Sequence, residues 1–171
     1  MRWTGNEIAL IGTAATVVVA ILSALAAYLA SKRDRRRTLY SEAVQVIVGW
    51  KEMLYRVRRR DEEETRELVN AFHDMQEKLA YYQAWIAGDS QYMSRSYARL
   101  VRDIKSQTEA LIEKAWVEPV MATPGGSLTG QDHPDITSFV DMFAADVRSH
   151  LSPQPWRKIA VAWRNRDGRR V

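Results

Sequence analysis

From Ile8 to Ala30 the chain runs 23 residues without a charge, and at Lys32 the character changes abruptly to Lys32-Arg33-Asp34-Arg35-Arg36-Arg37. A helix needs about 20 predominantly apolar residues to cross the hydrocarbon core of a bilayer, so the run is long enough to span one. Past the basic cluster the apolar positions form stripes. Leu39, Ala43, Val46, Trp50, Met53 and Val57 recur at alternating spacings of four and three, as do Leu68, Phe72, Met75, Leu79, Tyr82 and Ile86. Met93, Tyr97, Leu100, Ile104, Leu111 and Ala115 keep this rhythm with one polar interruption near Gln107. A stripe of this period is the apolar side of a helix packing against neighbours, in a bundle or a coiled coil.

Proline placement sets the limits of these helices. No proline precedes Pro119, and all five fall from there on, at 119, 124, 134, 153 and 155. The stretch before Pro119 therefore reads as helix nearly throughout. Its breaks fall where cations meet anions, Arg58-Arg59-Arg60 against Asp61-Glu62-Glu63-Glu64, and at Gly88. Positive charge suits a helix C-terminus and negative charge an N-terminus, with Asp61 and Glu64 as a capping pair. At Gly88 the following Asp89 or Ser90 is the expected cap. Residues 121–131, rich in Gly, Thr and Pro, read as a loop. Pro134 stands where a first helical residue belongs, and Ile136, Phe139, Val140, Phe143, Val147 and Leu151 outline a shorter helix ended by Pro153 and Pro155.

The expectation is an all-α chain. A single N-terminal transmembrane helix continues into a cytoplasmic up-down bundle of about four helices, with a basic C-terminal tail. By residue, 1–7 form a short extracytoplasmic terminus, 8–30 the span, 31–118 three helices, 119–134 a loop, 135–152 a fourth helix and 153–171 the tail. Ala24-Leu25-Ala26 resembles a signal-peptide cleavage site. However, cleavage there would leave the basic cluster at the new N-terminus, so the segment reads as a retained anchor. Thr4 with Glu7 has capping-box spacing, and Trp3 and Tyr28 sit near the two ends, where aromatic rings favour the headgroup level. Lys32, Arg33, Arg35, Arg36 and Arg37 flank the C-terminal side. They predict an inner-membrane, single-pass topology with the N-terminus outside and the body in the cytoplasm.

Within the span Gly12, Thr16, Ala20 and Ala24 recur every fourth residue. Small residues at that spacing let two helices approach closely in lipid, which points to self-association. An Ala-rich span also produces such stripes without any partner. The span holds no ionisable group of the kind that marks an ion or proton path.

Charge is unevenly distributed. The formal net charge is +4, but residues 61–153 hold 8 Lys/Arg against 16 Asp/Glu, a local −8. Residues 32–37, 56–60 and 154–171 are strongly basic. The tail combines Trp156, Arg157, Lys158, Trp163, Arg164, Arg166, Arg169 and Arg170, and each basic residue beside an anionic leaflet adds about 1 kcal/mol of attraction. It reads as a second, peripheral contact with anionic lipid headgroups. A disordered basic tail is the plainer alternative, and nucleic acid is disfavoured because the chain is already tethered beside a surface of suitable sign.

Candidate chemistry is sparse. Cysteine is absent, which excludes disulfides, thiolate metal sites and cysteine nucleophiles. His73, His133 and His150 lie on separate segments, no Glu-x-x-His motif occurs, and Gly125-Gly126 lacks the lysine of a phosphate-binding loop. Asp132-His133-Pro134-Asp135 reads as turn and cap. No cofactor or metal is expected, and the chain reads as a non-enzyme: an interaction, scaffolding or sensing module that binds the bilayer and either itself or another helical protein. One alternative is a small oligomerising membrane effector, as holin-like and abortive-infection proteins are. An envelope-spanning lysis protein, whose N-terminal anchor and long helices this chain resembles, would need the opposite flanking charges. Arginine outnumbers lysine 19 to 6, a bias typical of GC-rich bacterial or phage genomes. The loop 119–133, flanked by Trp116 and Met121, is a further candidate surface, since long connections inside a bundle are uncommon unless used.

Overall fold

The structure, a computed structural model, describes residues 5–60, 64–118 and 134–166, with side chains from residue 16 onward. Among them every regular element is helical: α1 (Gly5–Arg58), α2 (Thr65–Asp89), α3 (Gln91–Val117), α4 (Thr137–His150) and α5 (Pro155–Arg164). The chain divides into two compact units, residues 1–38 and 39–171. The expectations attached to Trp3, Thr4, Glu7, Gly12, Asp61, Met121, Gly125, Gly126, Asp132, His133, Arg169 and Arg170 lie outside the described side chains.

The first unit holds the apolar part of α1 and the basic cluster that follows it. The described residues of the apolar part are exposed on every side, from Val17 at 52% and Val19 at 62% to Tyr28 at 62% and Leu29 at 55%. The helix is long and apolar enough to cross a membrane, with none of its most apolar window buried.

The second unit has a conventional core. Tyr40, Ala43, Ile47, Trp50, Leu54 and Val57 of α1 pack with Leu79 and Ile86 of α2, with Met93, Tyr97, Leu100 and Ile104 of α3, and with Phe143 of α4. Ala43, Trp50 and Val57 lie on the α1 stripe read from the sequence. Tyr40, Ile47 and Leu54, one residue past its Leu39, Val46 and Met53, are buried as well, whereas Leu39 and Val46 are only partly so. The buried side is thus rotated toward those neighbours. Burying a side chain of this size stabilises by roughly 1.5–3 kcal/mol, so the stripes dominate the energetics of this unit.

Local signals account for the helix ends, with some shifts. Arg60, just past α1, donates to the Val57 carbonyl at 2.8 Å and, across the unit, to those of Ala115 at 2.7 Å and Trp116 at 2.9 Å. One guanidinium thus serves the carbonyl-rich ends of two helices, while lying 5.3 Å from the centre of the Trp116 ring. The α2 helix begins at Thr65, later than an Asp61 cap would place it, and Glu64 makes no side-chain cap there. Ser90 caps α3, its hydroxyl accepting from the Met93 N–H at 3.4 Å. Pro134 is buried and stands three residues ahead of α4, not at its first position. Instead the Asp135 carboxylate takes the Thr137 N–H at 2.9 Å, a local turn that sets the helix start. Pro155 opens α5, a position where the missing N–H costs nothing. The basic tail therefore contains a fifth helix where the sequence suggested only a flexible or surface-bound segment.

Candidate functional site

Asp146 of α4 stands where the apolar rhythm calls for a hydrophobic residue, three positions after Phe143. It is 1% exposed. A lone carboxylate there would cost several kcal/mol, so its partners matter. Ser96 of α3 donates its hydroxyl to Asp146 Oδ2 at 2.7 Å, and the Asn165 amide donates to the same oxygen at 3.0 Å. The other oxygen, Oδ1, meets the Arg164 guanidinium at 2.6 Å. Arg99 of α3 donates to the Asn165 side-chain oxygen at 3.1 Å, and Arg95 donates to the backbone carbonyls of Asn165 and Arg166. The end of α5 is thereby clasped to α3 and α4 by a polar network. In it Asp146 Oδ2 takes two hydrogen bonds, and Oδ1 is held by charge, through the Arg164 ion pair, without a hydrogen bond.

The clasp sets the roll of α5. Val161 and Asn165 are buried against the unit at 1% and 0%. Trp156, Ile159 and Trp163, at three- and four-residue spacing, share the opposite side. They stand 62%, 57% and 70% exposed. The Arg166 guanidinium lies 5.9 Å from the centre of the Trp163 ring, and Arg157 and Lys158 are exposed. Among the described basic residues of the tail, Arg164 is drawn into the Asp146 network, whereas Arg157, Lys158 and Arg166 are exposed.

A second polar cluster joins three helices. The Tyr40 hydroxyl of α1 donates to Asp89 Oδ2 at 2.8 Å, and His150 Nε2 of α4 lies 3.4 Å from that oxygen. The Tyr40 ring meets the His150 ring edge-on at 6.0 Å and that of Phe143 at 6.2 Å. A third polar contact lies deeper, where Trp50 Nε1 donates to Thr108 Oγ1 at 2.9 Å and that hydroxyl donates to the Ile104 carbonyl at 2.8 Å. Thr108, fully buried, is the polar interruption in the α3 stripe, while Gln107 faces water.

Each carboxylate is engaged by groups from other helices of the unit: Asp146 by Ser96, Asn165 and Arg164, and Asp89 by Tyr40 with His150 beside it. Burial, with a smaller effect from Tyr82, pushes the Tyr97 phenol well above its ordinary range and keeps it neutral in the core. Hydrogen bonding from Thr137 holds the Asp135 carboxyl below the usual carboxylate range. Among the described residues no group of three His, Cys, Asp or Glu side chains is placed to hold a metal ion. An open cleft of about 590 Å³ runs between α2 and α3, walled by Leu79, Ala80, Ala98 and Val101 with Arg102 and Glu109 at its margin.

Thr16, Ala20 and Ala24 lie in the exposed apolar part of α1; just beyond it Lys32, Arg33, Arg35 and Arg37 are exposed and Arg36 is half-buried. Arg37 pairs with Asp34 at 3.8 Å, a contact between two exposed groups that contributes little to stability. Trp116 is half-buried, its ring 6.3 Å from that of Phe72.

Sequence reasoning did not find the Asp146 clasp or the Tyr40–Asp89–His150 cluster. The available signal was a polar residue at a core register: Asp146 among Phe143 and Val147, and Asn165 four residues after Val161.

Comparison with known proteins leaves the description to the structure alone: no protein family matches the chain. No curated protein matches it. No solved structure matches it.

Proposed function

We propose that this chain is a single-pass membrane protein, anchored by the apolar part of α1, whose remaining helices form a cytoplasmic up-down bundle that works as an interaction, scaffolding or sensing module. One observation carries the reading: a helical stretch from Val17 to Leu29 whose large apolar side chains are all more than half exposed. In water such a surface is strongly unfavourable at about 25 cal/mol per Å², whereas lipid tails cover it on all sides. The five Lys/Arg that follow favour the cytoplasmic side for the body.

The bundle geometry draws support from paired contacts. Tyr40 near the start of the second unit meets Asp89 and His150 at the ends of α2 and α4, while Arg60 past the end of α1 meets the end of α3. A binding role rather than a catalytic one is favoured because Asp89 and Asp146 are taken up in clasps between helices. The partners proposed are the bilayer, a second copy through the Thr16–Ala20–Ala24 stripe, or another helical protein.

Because the chain has no cysteine, single cysteines report topology directly. Thr4→Cys should react with a membrane-impermeant maleimide in intact cells, and Glu109→Cys on α3 only after permeabilisation. The reverse pattern would place the body outside and overturn the orientation. Leakage of cells on expression, abolished by Ala20→Leu, would instead make the chain an oligomerising membrane effector.

A further inference from the structure

We propose that the outer side of α5, built from Trp156, Ile159 and Trp163 with Arg157 and Arg166 beside them, is a docking surface for an anionic lipid bilayer, held in place by the Asp146 clasp. The proposal rests on the anchored reading for its location and on the geometry of α5 for its chemistry.

Three features of α5 converge. First, its two sides are opposite in character: Val161 and Asn165 are buried at 1% and 0%, whereas Trp156, Ile159 and Trp163 are 57–70% exposed. Second, residues 154–166 contain no acidic side chain, and Arg157, Lys158 and Arg166 are exposed. An apolar centre holding an aliphatic and two indoles, edged by cations, is the pattern of a helix lying in a headgroup layer. Indole rings prefer that level, and cations are attracted to anionic headgroups. The aliphatic Ile159 stands between the two indoles on this side, which suits lipid better than a stack of bases, although Arg166 lies beside the Trp163 ring.

Third, α5 is folded and fixed before it meets lipid, so docking does not have to order it. Its clasp residues Arg95, Ser96 and Arg99 open α3, and Asp146 precedes the His150 that reaches Asp89 and Tyr40. The helix therefore packs at the end of the second unit where Tyr40 enters. Tyr40 follows Ala30, the last residue of the apolar run, by ten residues.

The test uses the full chain in vesicles of phosphatidylcholine, plain or doped with phosphatidylglycerol, each carrying a nitroxide on the lipid headgroup. A nitrobenzoxadiazole label is placed at Ile159→Cys or, as a control on another part of the unit, at Glu109→Cys. The label at 159 should be quenched at least about threefold more strongly in anionic than in plain vesicles, and the label at 109 equally in both. Arg157→Gln with Arg166→Gln should remove most of that difference, since each basic residue near an anionic surface changes partitioning about fivefold. Quenching at 159 no stronger than at 109 in anionic vesicles would overturn the proposal. So would a label at 159 that responds to duplex DNA and not to vesicles. An alkaline carbonate wash of the same vesicles separates the two readings. A chain retained by the wash but unquenched at 159 loses the docking surface alone; a chain stripped by the wash yet quenched at 159 loses the anchor and keeps the surface.

Discussion

Val17, Leu22 and Leu29 stand 52%, 59% and 55% exposed, whereas Ile47, Leu54 and Val57, farther along the same helix α1, are at 1% or less. Both stretches are built from similar aliphatic residues. The difference is periodic: around Leu54 the apolar positions alternate with exposed Gln45, Glu52 and Arg56, and neighbouring helices cover a single stripe. Around Leu22 there is no polar side to leave in water, and no single helix could cover all directions at once. What separates the exposed stretch from the buried one is thus the distribution of hydrophobic residues around the helix, more than their number.

Truncation gives the largest contrast between the stretches. Leu54→Ala should lower the unfolding free energy by roughly 2–5 kcal/mol, the usual cost of a cavity in a packed core. Leu22→Ala should stay within about 0.5 kcal/mol. Denaturant titration of both variants in mild detergent measures this, and equal losses would mean that the two stretches share a core. Charge reads the other side of the contrast: Leu22→Arg should oppose membrane insertion by about 2.5–3.5 kcal/mol, seen as transfer of the chain to the soluble or aggregated fraction.

Smaller effects sharpen the description of the second unit. Thr108→Val keeps the shape but leaves the Trp50 indole N–H without its acceptor, at a cost of about 1–3 kcal/mol by thermal or denaturant unfolding. The smallest effect is a pH response at the start of α4. The Asp135 carboxyl is held below its ordinary range by Thr137, so its contribution is complete above the unfolded-state pKa and fades as pH falls through the folded-state value. Protection of the Thr137 amide, its exchange rate relative to the intrinsic rate at the same pH, should therefore fall below about pH 4, and Asp135→Asn should flatten that response.

The apolar stripes were legible in part because burial in this unit follows the 3.6-residue period; Ala43, Trp50, Met53, Leu68, Leu79, Ile86 and Leu100 are buried where the stripes placed them. Tyr40, Ile47 and Leu54 are buried beside them, and the starts of α4 and α5 were not foreseen. What escaped was polar. Thr108 looked like a gap near Gln107, and Asp146 and Asn165 looked like ordinary surface groups, since their partners Trp50, Ser96 and Arg99 lie 50 to 66 residues away along the chain. A one-dimensional pattern reports which side of a helix is buried and says little about which polar groups meet inside. The tail shows the same division. Its composition suggested lipid contact, but that α5 is folded, and which of its sides faces outward, depends on a carboxylate in another helix.

The central claim is that the Val17–Leu29 stretch of α1 lies in a bilayer, and alkaline carbonate extraction followed by flotation tests it most directly. The full chain should stay with the membranes and float with them, and Leu22→Arg should reduce that fraction. Release of the full chain into the supernatant as a dispersed soluble protein would contradict the account.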